Sequence, residues 1–230
     1  KIPNFTAMKK VYLDNAATTP IDPEVIREMA KVMHEDYGNP SSTHTFGRHA
    51  KSTLELSRKA IAKAIGATSQ EIIFTSGGTE SNNWIVRNAV TNLKVQRIIT
   101  SKVEHHAVLH SVEALQHEFG VAVLFVNIKP NGEVDLTHLV ELLSDLQPTL
   151  VSLMHVNNET GAMLPLESVA RICKQHGAFF HSDTVQSVGK TNLDINLVPV
   201  DFITASAHKF HGPKGIGFLF ARKGLPMGNL

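Results

Sequence analysis

From about Ile72 onward, short runs of β-branched and aromatic residues alternate with longer stretches whose apolar positions recur every three to four residues. The first pattern fits buried strands and the second fits amphipathic helices. Strands are predicted over 71–75, 97–100, 121–126, 150–154, 178–181 and 201–205, with helices over 79–92, 107–119, 135–146 and 165–176. This β-α-β-α rhythm predicts an α/β fold, a mostly parallel sheet covered by helices on both faces. A last strand, 216–220, follows its predecessor after a link of about ten residues that holds two Gly and a Pro. A parallel return needs a crossover of roughly a dozen residues or more, so this strand is expected to run antiparallel.

Two helices are predicted ahead of the sheet. Asp22-Pro23 is a cap followed by a first-turn proline, and Val25, Ile26, Met29, Ala30 and Met33 form one apolar stripe. The second helix, 44–65, carries Ala50, Leu54, Ala60, Ile61 and Ala64 and stops at Gly66. No repeat or composition break divides the chain. The expected organisation is an N-terminal arm, 1–21, and one large domain, 22–230.

Composition narrows the classes. An apolar fraction of 42% supports a packed core, and 22 basic against 21 acidic residues leave a net charge of +1. That balance argues against a chain built to bind nucleic acid through its phosphates. No apolar run approaches the ~20 residues of a membrane helix. The single cysteine, Cys173, forbids an internal disulfide and fits a reducing compartment. With no secretory leader at its start, the chain is expected in the cytoplasm.

In a parallel sheet, ligands bind beyond the carboxyl ends of the strands, and the unusual polar residues cluster there. Ser76-Gly77-Gly78-Thr79-Glu80-Ser81 follows a strand and opens a helix. Its glycines and free amides suit an anion, although the same residues also make an ordinary helix cap. A Walker-type loop is excluded, because the first glycine of the pattern ending at Gly189-Lys190-Thr191 would fall on Thr184. His105 follows the second strand, placed to stack on a flat ligand or shuttle a proton. His106 and His110 share i, i+4 spacing but lack a third ligand, so no metal is expected. Asn158 and Glu159 are read as ending the fourth strand, Asp183 the fifth, and Lys209 as following the sixth. A desolvated lysine is a nucleophile toward aldehydes, and a buried carboxylate needs a cation or donors. A phosphate cradle, a stacking His, an Asp and a Lys on one sheet are what pyridoxal phosphate requires.

Longer motifs extend this. Tyr12-Leu13-Asp14-Asn15-Ala16-Ala17-Thr18-Thr19-Pro20, Gly38-Asn39-Pro40-Ser41-Ser42, and the segments 75–83, 154–161, 183–189 and 206–217 occur in the order of a known family. The sequence resembles the group I cysteine desulfurases, the NifS/IscS-like branch of class V pyridoxal-phosphate enzymes, which also contains selenocysteine lyase. The resemblance implies the type I fold, with a seven-stranded sheet and one antiparallel strand. It implies that Lys209 holds the cofactor as an imine, that Asp183 pairs with the ring nitrogen, and that His105 stacks on the ring and assists proton transfer. Gln186 and Asn158 would contact the ring's phenolic oxygen, and Gly78, Thr79, Ser206 and His208 the phosphate. The implied reaction converts L-cysteine to L-alanine and passes the sulfur to an enzyme cysteine as a persulfide, for iron–sulfur clusters or tRNA thiolation. A homodimer and a sulfur-acceptor or scaffold protein are the implied partners. Relatives continue beyond the segment that ends at Leu230, into a smaller domain with the sulfur-accepting cysteine and a substrate-clamping arginine. Cys173 shares a helical face with Leu166, Val169 and Ala170 and reads as a buried structural thiol. Selenocysteine lyase and a non-catalytic cofactor-binding module are the alternative readings.

Overall fold

Two helices, α1 (Pro23–Glu35) and α2 (Thr45–Ala64), precede an alternating series in the computed structural model, which describes residues 10–228. The series runs β1 (Ile72–Thr75), α3 (Gly78–Thr91), β2 (Arg97–Thr100), α4 (His106–Phe119), β3 (Ala122–Phe125), α5 (Leu136–Leu143), β4 (Thr149–Ser152), α6 (Leu166–Gln175), β5 (Phe179–Asp183), β6 (Phe202–Ser206) and β7 (Gly217–Ala221). The seven strands form one sheet in the order β1-β7-β6-β5-β4-β2-β3. Only β7 runs antiparallel to its neighbours, β1 and β6, as the short link before it requires.

Alternation along each strand divides the core into two layers. Ile99, Val151, Phe180, Ile203 and Phe220 pack with Leu139 and Leu143 of α5, with Val169, Ala170 and Cys173 of α6, and with Ala62 of α2. Their neighbours Ile98 and Leu150 face Val86 and Ala89 of α3 and Val108, Val112 and Leu115 of α4. Phe202 and Leu219 meet Ile85 of α3 on that second side. Each large side chain so buried contributes about 1.5–3 kcal/mol, which is why near-continuous apolar strands hold a two-sided sheet.

Three expectations are corrected. The α1 stripe forms on one helix face, yet no α1 side chain is buried, and Ile26 and Met33 stay 52% and 70% exposed. In α2 the buried residues are Gly47 and Ala62, and Ile61 packs half-buried against the core, while Leu54, Ala60 and Ala64 stay exposed, because the last turns of that helix are the ones that meet the sheet. Helix α5 stops at Leu143 rather than 146, since Leu146 has a left-handed φ of 56° and Asp145 turns to take both guanidinium nitrogens of Arg97, at 2.8 and 2.9 Å.

Candidate active site

The carboxyl ends of β2, β4, β5 and β6 and the start of α3 surround a cavity of about 380 Å³. Its lining includes every site residue expected from sequence: Gly78, Thr79, His105, Asn158, Asp183, Gln186, Ser206, His208 and Lys209. His106 and His110 stand outside it, stacked on each other on the α4 surface with centroids 5.2 Å apart.

At one end, the turn from β1 into α3 is made by Gly77, whose φ of 149° disfavours any side chain. Ser81 Oγ donates to the Gly77 carbonyl at 3.0 Å and meets Thr75 Oγ1 at 2.7 Å, fixing the turn from behind. The first amides of α3, at Gly78 and Thr79, have no intrahelical acceptor and lie along the cavity wall. A Cβ on Gly78 would fall 2.6 Å from Cγ2 of Val185, so any side chain here would force Val185 to move. Ser206, the last residue of β6, and His208 in the single turn 207–209 complete this end. Burial, followed by the charges of Lys209 and Lys214, holds the His208 imidazole below the usual histidine range.

Asp183 forms the floor. It ends β5 at 6% exposure, accepting from Asn82 Nδ2 at 2.7 Å on one oxygen and from the Val185 amide at 3.0 Å on the other. Burial raises its pKa, opposed by these two donors and by the His105 charge. His105 caps α4: its Nδ1 accepts from the Ala107 amide at 3.1 Å. That bond assigns the proton of the neutral ring to Nε2.

Lys209 stands in the turn after β6, half-buried. Burial and then the Lys190 charge lower its pKa, opposed by Asp183 and Asp14. Its Nζ donates to the Ala16 carbonyl, which also accepts from Gln186 Nε2 at 2.8 Å. The residues around Ala16 are tied to the lysine turn: Thr19 N–H donates to the His208 carbonyl at 2.8 Å, and the His211 amide donates to Thr19 Oγ1 at 2.7 Å.

Asn158 lines the cavity, but neither it nor Glu159 ends a strand as expected. Strand β4 stops at Ser152, and both residues sit on a turn at 157–161. Asn157 builds that turn, with Oδ1 accepting from the Glu159 and Thr160 amides at 2.9 Å and Nδ2 donating to the Val103 carbonyl. Cys173 does not line the cavity: it is 1% exposed on α6, and burial and the Asp201 charge push its thiol pKa up, keeping it protonated.

Sequence reasoning missed Asn82 and the lining role of Asp14, Ala16, Ala17, Met154 and Val185. Asn82 had one available signal, its place one turn into α3 beyond the glycine loop. Ala16 acts through a backbone carbonyl, for which a side-chain pattern has no mark.

The Aminotransferase class-V family model matches residues 11–227. Among curated proteins, Cysteine desulfurase IscS of Dictyoglomus turgidum is 46% identical over 218 residues, covering 94% of this chain and 55% of that protein. Putative cysteine desulfurase IscS 1 of Bacillus subtilis is 41% identical over 225 residues, covering 97% and 59%. A solved NifS-like protein superposes with a TM-score of 0.89 at 40% identity, over 95% of this chain and 61% of that one. SspA in complex with cysteine gives 0.86 at 33% identity, over 93% and 62%. The chain thus spans little more than half the length of the curated relatives it matches.

Proposed function

Because the chain belongs to the class-V aminotransferase family, we propose that it is the pyridoxal-phosphate-binding large domain of a cysteine desulfurase, a protein that converts L-cysteine to L-alanine and passes the sulfur on. The observation that carries this reading is that Lys209 and Asp183 line one cavity, which the start of α3 also lines. The donor set suits the cofactor. Asp183 is a buried carboxylate with two N–H donors and room for a third on the cavity side. Free amides, the Thr79 and Ser206 hydroxyls and His208 suit a phosphate. The cavity volume lies within the ~300–1,000 Å³ range of small-molecule sites.

When bound, pyridoxal phosphate supplies an aldehyde that condenses with amines and a ring that accepts electrons. The chain's own residues do the rest. Lys209 provides the amine, and its lowered pKa makes the neutral, nucleophilic form accessible nearer to neutrality than for a free lysine. Asp183 holds an acceptor at the floor for a ring N–H. His105, locked at Nδ1 by the helix cap, offers Nε2 to hold or move a proton. Gln186 and Asn158 offer polar contacts at the cavity rim, and Gly78, Thr79, Ser206 and His208 anchor the anionic end.

Receipt of sulfur is proposed to fall outside this chain, because Cys173 is buried and protonated. A homodimer with residues 1–21 as an arm, a sulfur-acceptor protein serving iron–sulfur cluster assembly or tRNA thiolation, and a cytoplasmic setting complete the proposal. Residues 1–9 of that arm lie outside the described residues. The uncovered apolar face of α1 supports a covering partner. Among the described residues no helix is long and apolar enough to cross a membrane.

The test uses the complete polypeptide. Added pyridoxal phosphate is expected to give a visible absorption band that borohydride abolishes, and Lys209→Ala is expected never to show it. Alanine release should be faster from cysteine than from selenocysteine. A protein that ignores the cofactor would overturn the reading.

A further inference from the structure

Behind the cavity lies a carboxyl group with no role so far. Glu104, one residue before His105, is only 6% exposed. Its Oε1 accepts from Ser101 Oγ at 2.8 Å, and its Oε2 has no partner among the described residues. Glu104 also lines a small cavity of about 20 Å³ with Ser101, Asn157 and Met154, and Met154 is shared with the large cavity. One side chain therefore separates this carboxyl from the candidate site.

The ionisable groups on the surrounding elements are Lys102 and His105 on its own loop, the exposed Glu133 between Gly132 and Val134, His155 after β4, Glu159 on the following turn and Asp183 at the end of β5. Lys102 is turned away, its Nζ over the Phe125 ring. His155 is bound to Ser187 at 2.9 Å, and burial keeps it below the usual histidine range. The charge that reaches Glu104 is that of Asp183, which has the same sign. Two buried carboxyls in adjoining cavities that share the Met154 wall do not both ionise readily.

Their surroundings decide which one keeps the proton. Asp183 has an N–H donor on each oxygen and faces Lys209 and His105 across the cavity. Glu104 has the Ser101 hydroxyl and the Met154 backbone amide as its neighbouring donors and no cation. We propose that Glu104 carries the proton of this buried pair and is a positioning residue, acting through Asp183 by leaving it as the single anion at the floor of the cavity. In agreement, burial pushes Glu104 up to about 8, opposed by the donors at Met154 and Ser101 and aided by a smaller contribution from the Asp183 charge. The location of the proton does not depend on the cofactor; its consequence for a ring nitrogen rests on the proposed function.

Infrared spectra of the complete polypeptide, grown with heavy-carbon glutamate or heavy-carbon aspartate, read the proton directly and need no substitution. In the cofactor-free protein at neutral pH, a carboxylic-acid C=O band is expected that moves with the glutamate label only and titrates away near pH 8. Glu104→Gln should remove the band, and Asp183→Asn should lower its midpoint by deleting the neighbouring charge. A band that follows the aspartate label, the absence of a glutamate band, or a midpoint indifferent to Asp183→Asn would each overturn the proposal. Loading with pyridoxal phosphate should lower the midpoint as well. If the band behaves as expected without cofactor but ignores loading, the proton stands on Glu104 and the pairing of Asp183 with a ring cation fails instead.

Discussion

Asn82 Nδ2 and Asp183 Oδ2 meet at 2.7 Å across 101 positions of chain, joining the first turns of α3 to the end of β5 beneath the cavity that both residues line. The pair explains how a carboxylate can stay charged there. A hydrogen bond to an ionised group contributes about 1.5–3 kcal/mol, which offsets part of the cost of burial that raises the Asp183 pKa.

Removing that donor gives the first prediction. Asn82→Ala leaves the Val185 amide as the one N–H donor to Asp183, so its pKa should rise further and its hold on a protonated ring nitrogen should weaken. Pyridoxal-phosphate affinity is expected to fall about tenfold or more, matching ~1.4 kcal/mol or more of lost interaction. An absorbance titration of the complete polypeptide measures it, and an unchanged dissociation constant would refute the role given to Asn82.

The second prediction concerns the segment around Ala16. Thr19 Oγ1 donates to the His208 carbonyl at 3.0 Å and accepts from the His211 amide at 2.7 Å, so one hydroxyl pins the chain segment that meets Lys209 to the turn that carries it. Thr19→Val keeps the shape and removes both bonds. Thermal unfolding should show a loss of about 1–2 kcal/mol, and borohydride trapping of the cofactor on Lys209 should slow. Loss of stability with normal trapping would reduce Thr19 to a purely structural residue.

Much of this was legible in sequence because buried strands and amphipathic helices carry different periods. The direction of β7 followed from the length of one link, and Asp183 from a carboxylate placed after an apolar strand. What stayed hidden has physical causes. Helix α1 has the same apolar stripe a buried helix would have, and a stripe does not say whether anything covers it. The Ala16 carbonyl, the partner of Lys209 and Gln186, belongs to the backbone, which every residue shares. Nothing in the pattern around His105 marks Glu104 as buried, since its burial comes from the packing of Met154 and Asn157, distant in sequence.

The glycine at the start of α3 gives a third prediction. In Gly78→Ala the new Cβ would lie 2.6 Å from Cγ2 of Val185, a β-branched side chain with little freedom to turn aside. Because the Val185 amide donates to Asp183, pushing this residue disturbs both ends of the site at once. Gly78→Ala should therefore lose cofactor affinity, and the double variant Gly78→Ala with Val185→Ala should recover much of it. Equal losses in the single and double variants would point to a requirement for glycine other than space.

The last prediction follows from two buried groups with opposite displacements. His181, fully buried on β5 with Nδ1 2.8 Å from Ser152 Oγ, is pushed by burial from 6.5 down to about 3. Its contribution to stability is complete above the unfolded value and is lost as pH falls from 6.5 toward 3. Glu104 is displaced upward from 4.5 to about 8, so its contribution is complete below 4.5 and is lost as pH rises toward 8. Between pH 4.5 and 6.5 the two oppose each other, each at up to about 1.4 kcal/mol per pH unit. Relative to wild type, His181→Gln should make unfolding free energy decline with rising pH across that window, and Glu104→Gln should make it climb. Urea unfolding of the three proteins at pH 4.5, 5.5 and 6.5 resolves these slopes. Parallel pH profiles in all three would show that neither group has the displaced ionisation that its burial demands.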